Sequence, residues 1–74
     1  MWHEGIIGIG RVAVKYWVKA YKIRSQFGIE GGKISKLILE RKGTTIANYD
    51  RGWDIKPQGY EAEAALAILM KEYN

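Results

Sequence analysis

Tyr49-Asp50-Arg51-Gly52-Trp53-Asp54-Ile55-Lys56-Pro57 puts a glycine, two acids, an arginine, an indole and the only proline of the chain into nine residues. Such density marks a connection that bends sharply and satisfies its own backbone while a ring plugs the core. The residues on either side differ in period. Upstream, apolar and polar residues alternate as in strands; downstream, apolar residues recur every three to four positions as in a helix. Residues 50–57 are therefore read as the turn between a sheet and a helix.

Downstream, Ala62, Ala65, Leu66, Leu69 and Tyr73 follow the i, i+3, i+4, i+7 spacing, with Ile68 beside the stripe, and predict a helix over residues 58–73. Glu61 and Glu63 are expected in its first turn and Lys71 in its last, each complementing the helix dipole. Four alanines let it approach a sheet closely.

Upstream, Arg11 to Lys22 gives the clearest strand. Val12, Val14, Tyr16, Val18 and Ala20 fall on one side, and Ala13, Lys15, Trp17, Lys19 and Tyr21 on the other. The first set is expected to face the helix. A second strand covers about Ile34 to Arg41 and a third about Thr44 to Tyr49, joined by a tight turn at Lys42-Gly43. The fold class expected is α+β: a three-stranded antiparallel meander over residues 11–49, with one C-terminal helix across one face. Residues 1–10 are read as an N-terminal segment or edge strand, and the 74 residues as one domain.

Two glycine-rich stretches invite a phosphate-binding reading and fail it. Residues 5–10 run Gly-Ile-Ile-Gly-Ile-Gly, the wrong glycine order for the dinucleotide fingerprint, and a strand follows instead of a helix. Before Gly32-Lys33 the glycine required by a P-loop is replaced by Phe27, and Ile34 stands where Ser or Thr is needed. In this 23–33 connection Phe27 and Ile29 are expected to tuck back onto the sheet.

Without cysteine there is no disulfide, thiol nucleophile or thiolate metal site. His3 is the only histidine and stands near a terminus expected to fray, without a partner at metal-ligand spacing. Asp50 and Asp54 lack the cleft that acid–base chemistry requires. No catalytic, cofactor or metal residue is assigned, and the chain is read as a non-enzyme. No secretory leader is legible in Met1-Trp2-His3-Glu4, and the Ala64 to Met70 run is too short to span a membrane. A cytoplasmic location is expected.

The Gly32-Lys33-Ile34-Ser35-Lys36-Leu37 and Tyr49-Asp50-Arg51-Gly52-Trp53-Asp54 segments resemble a small family of uncharacterised proteins from phages and Firmicutes, a domain of unknown function. The likeness extends from about Tyr16 through the helix and implies a short single-domain protein. Phage proteins of this size often bind and block a host protein, CRISPR and other defence effectors included, so the resemblance suggests an anti-defence inhibitor by analogy.

Two constellations carry binding expectations. The first comprises Arg51, Trp53 and Asp54 with Lys36, as a partner-binding set. The plainer reading keeps the turn structural: Gly52 left-handed, Trp53 sealing the core, and Asp50 or Asp54 bonding backbone N–H groups beside Arg51. The second is the stripe Lys15, Trp17, Lys19, Tyr21. One helix covers only one face of a sheet, which leaves this stripe for a protein partner or a homodimer. Aromatic rings between lysines also suit unpaired nucleic acid, the alternative function. The net charge of +4 arises from +6 over residues 1–56, eleven Lys/Arg against five acids, and −2 over residues 57–74, an excess that permits such a ligand without requiring one.

Overall fold

The computed structural model describes residues 1–74. Five strands cross one sheet in chain order, every neighbouring pair antiparallel: β1 (Trp2–Ile9), β2 (Val12–Ala20), β3 (Ile34–Arg41), β4 (Thr44–Asp50) and β5 (Trp53–Ile55). One helix, α1 (Gly59–Tyr73), follows and crosses a single face. The class is α+β and the order a meander, but the sheet has five strands where the sequence predicts three. The first addition is the 1–10 segment, which pairs with β2 along its length from Trp2 opposite Lys19 to Ile9 opposite Val12. The second lies inside the 50–57 connection. There Trp53–Ile55 turns back on β4, with Tyr49 opposite Trp53 and Asn48 opposite Ile55.

Register explains the core. Tyr16 and Val18 lie opposite Leu39 and Leu37, which lie in turn opposite Ala47 and Tyr49. These side chains share the face under the helix because alternate residues of a strand point the same way. Ala62, Ala65 and Leu69 of α1 are buried on them, with Leu66 and Tyr73 half-buried at the margin and Ile68 exposed. The Arg41 guanidinium holds the Glu61 carboxylate at 2.8 Å and ties the first turn of α1 to the end of β3. Glu63 is exposed. Consecutive positive φ angles at Lys42 (50°) and Gly43 (79°) make the β3–β4 hairpin turn expected of that pair.

The 21–33 connection is fastened by the end of the chain. Asn74 Nδ2 donates to the Ile29 carbonyl (3.1 Å), and its Oδ1 accepts from the Ile34 N–H (2.9 Å). A side chain at buried Gly32 would collide with the Asn74 amide, so only glycine fits there. Ile29 tucks into the core as expected. Phe27 does not: its ring is exposed while its carbonyl accepts the Tyr49 hydroxyl at 2.8 Å, the backbone making the contact expected of the side chain. Asn74→Ala removes the acceptor of the Ile34 N–H and is expected to lower stability by about 1–3 kcal/mol, read as a lower denaturation midpoint.

His3 is not frayed. It lies in β1 opposite Val18, its ring stacked on Tyr73 with centroids 4.6 Å apart and planes 26° from parallel. The Tyr73 phenol is held above the usual tyrosine value of 10.0, first by its hydrogen bond with the Tyr16 hydroxyl, then by burial and by neighbouring negative charge. A folded-state value raised above the unfolded one stabilises the fold below the unfolded value, and this contribution is lost as pH rises through the folded value. Stability is therefore expected to fall as pH climbs past 10.0. Tyr73→Phe should shallow that alkaline decline in thermal melts.

Candidate binding face

The face turned away from α1 is organised by register into three rows running across the sheet. The first holds Trp2, Lys19, Lys36 and Asp50, the second Glu4, Trp17, Ile38 and Asn48, and the third Ile6, Lys15, Glu40 and Thr45. Lys15, Trp17 and Lys19 of the predicted stripe share this face by strand alternation, and Tyr21 continues it just beyond β2. The structure adds Trp2 and Ile6 from β1 and Ile38 from β3. Trp2 is 54% exposed and Ile6 65% exposed. Sequence reasoning leaves Trp2 and Ile6 out because it gives the 1–10 segment no pairing register against β2.

Two features stand on this face. A shallow depression of about 390 Å³ is lined by Trp2, Trp17, Ile38 and Glu40. Lys15 lies 5.3 Å from the Trp17 ring centre, and Lys19 lies 6.0 Å from that of Trp2 and 5.5 Å from that of Tyr21. The ammonium groups thus sit over ring faces, which attract cations. Past the first row lies a second cleft of about 240 Å³, lined by Lys19, Lys36 and Arg51 with Ser25, Ser35, Tyr21 and Phe27.

Arg51 reaches that cleft by an unusual backbone. The turn expectation places Gly52 in the left-handed region; instead Arg51 occupies it, at φ 61°, and Gly52 does not. The Asp50 N–H donates to the Gly52 carbonyl (2.8 Å) and the Arg51 N–H to the Ser35 carbonyl (3.3 Å), and these bonds fix the exchange. A left-handed non-glycine residue costs about 1–2 kcal/mol. The Asp50 carboxylate lies 3.9 Å from Lys36, so it pairs there and not with Arg51.

The other predicted set is divided by the fold. Lys36 and Arg51 line the same cleft. Trp53 packs against the core, edge-on to Tyr49 with ring centres 5.0 Å apart. Asp54 is exposed on β5. No group of three or more His, Asp or Glu side chains comes together as metal ligands, and no helix is long and apolar enough to cross a membrane.

Fold and face together define a small α+β domain in which a five-stranded antiparallel meander is covered by a helix on one side only. A family model described as a domain of unknown function, DUF7678, matches residues 1–74, and the chain belongs to that family. Comparison with curated proteins and with solved structures finds no significant match.

Proposed function

We propose that the chain is a non-enzymatic binding module that docks on a protein partner through the sheet face opposite α1. The observation that carries this reading is the depression between Trp2, Trp17 and Ile38, an apolar centre bordered by charges of both signs. Lys15, Lys19 and Lys36 are offset across the three rows by Glu4, Glu40 and Asp50. A long phosphate backbone laid on this face would meet those carboxylates, whereas protein interfaces combine an apolar, aromatic core with a polar rim. Trp53 contributes by holding β5 on the core, and Asp54 lies at the sheet edge as a rim residue.

An inhibitor or modulator acting on a host protein is the form of this function suggested by the phage and Firmicutes resemblance, and a cytoplasmic site of action belongs to the same proposal. The test is affinity capture from host lysate with three baits: the unmutated chain, Trp17→Glu and Ile68→Glu. A partner retained by the unmutated and Ile68→Glu baits but lost with Trp17→Glu supports the docking face. A partner lost only with Ile68→Glu moves the interface to the exposed side of α1.

A further inference from the structure

The cleft beyond the first row has a ligand chemistry of its own. Three observations converge on it. Lys19 and Lys36 lie directly opposite each other on β2 and β3, an arrangement that repels and destabilises a sheet. Arg51 adds a third cation to the same cleft from a left-handed backbone, although the neighbouring Gly52 would adopt that conformation without strain. Asp50 is the one carboxylate paired there, with Lys36, and leaves a net charge of two positive among these four groups. Two structural costs converge on one concave surface, and an anion seated among the cations would relieve the first.

We infer that this cleft binds the phosphate group of a nucleotide. The guanidinium presents a planar fork of donors that matches phosphate oxygens, and the two ammonium groups add point charges. The Ser25 hydroxyl, which accepts from the Phe27 N–H at 3.1 Å, keeps its own proton for donation. Tyr21 and Phe27 give the site its nucleotide character. Both line the cleft, are 51% and 53% exposed, and present apolar rings beside the cations, the pairing on which a base stacks while its phosphate is held. At about 240 Å³ the cleft takes one phosphate and part of one ring. Glu4 and Glu40 on the following rows confine the anion site to this end, so the ligand is a free or terminal nucleotide and not a strand laid across the sheet. The cleft shares Lys19, Lys36 and Tyr21 with the docking face, but its anion chemistry rests also on Arg51 and Ser25 outside that face, so Arg51→Gly tests the cleft and Trp17→Glu the docking reading separately.

The experiment is an amide-shift titration of the labelled full chain at low ionic strength with adenosine monophosphate, inorganic phosphate, adenosine, phosphotyrosine and a short single-stranded oligonucleotide. Adenosine monophosphate should shift the signals of Lys19, Ser25, Lys36 and Arg51, inorganic phosphate the same signals more weakly, and adenosine none of them. Arg51→Gly should weaken binding about tenfold, the scale of one charge-assisted contact, while raising the melting temperature, because glycine occupies the left-handed position freely. Asp50→Asn should tighten binding by removing the competing carboxylate. Unchanged affinity in Arg51→Gly, or equal shifts with adenosine and its monophosphate, would overturn the assignment. Phosphotyrosine binding tighter than the nucleotide would replace it with a phosphopeptide site. An oligonucleotide whose affinity exceeds that of the mononucleotide and falls steeply with salt would return the whole face to nucleic acid.

Discussion

Leu69→Ala is expected to lower stability by about 2–5 kcal/mol, a large share of what a 74-residue domain holds. Leu69 is 2% exposed and, with Ala62 and Ala65, is one of the three buried residues through which α1 meets the sheet. Two of the three are alanines, which allow a close approach but offer little side-chain area to replace what the leucine loses. The cavity would open beneath a helix held otherwise by the Arg41–Glu61 pair and by side chains at its margin. Leu66 shares the sequence periodicity but is only half-buried. Leu66→Ala is therefore expected to cost less than Leu69→Ala. Denaturation midpoints of the two variants check the order, and equal losses would show that the helix is rotated about its axis from the packing described.

The difference between these leucines illustrates what the sequence discloses and what it withholds. Periodicity places Val14, Val18, Leu66 and Leu69 on a common side, and the structure gathers them about one core. It does not rank them, because a helix rotation of a few tens of degrees exchanges centre and margin without changing the pattern. Strands β2, β3 and β4 are legible through alternation or through a turn whose residues require positive φ. Strand β1 is obscured by glycines at 5 and 8 and by adjacent Ile6 and Ile7, which put apolar groups on both faces and erase the period of two. Strand β5 has three residues, too few to display any period. The candidate site is half legible for a related reason. Lys15, Trp17, Lys19 and Tyr21 follow from one strand, whereas the pairing of Lys19 with Lys36 and the approach of Arg51 depend on register, which a bulge between Lys19 and Ala20 alters locally. The conformational exchange between Arg51 and Gly52 runs against local preference, and sites of function are where such reversals are expected.

Alone in solution, the uncovered face is expected to self-associate as a homodimer, and Trp17→Glu to abolish that association. Strands β1 to β4, seven to nine residues long, give a face of about 30 Å by about 20 Å, on the order of 600 Å². Two such faces together reach the lower limit of a standard specific interface, which predicts a weak dimer populated only at high concentration. Trp17 is central, with Glu4 opposite on β1, Ile38 opposite on β3, and Trp2 and Glu40 lining the same depression. A glutamate there would add a third carboxylate to Glu4 and Glu40 and would lose hydration on contact with a second copy, so removing the ring and adding the charge both oppose association. The fold should survive, because Trp17 points away from α1 and contributes nothing to the twelve-residue buried core. Sedimentation should show mass rising above 8.4 kDa with concentration for the unmutated chain and staying at the monomer for Trp17→Glu, with equal helix content by circular dichroism. An unmutated chain that stays at 8.4 kDa up to millimolar concentration would overturn the dimer and leave the face to a partner of different sequence, whose docking should be equally sensitive to Trp17→Glu.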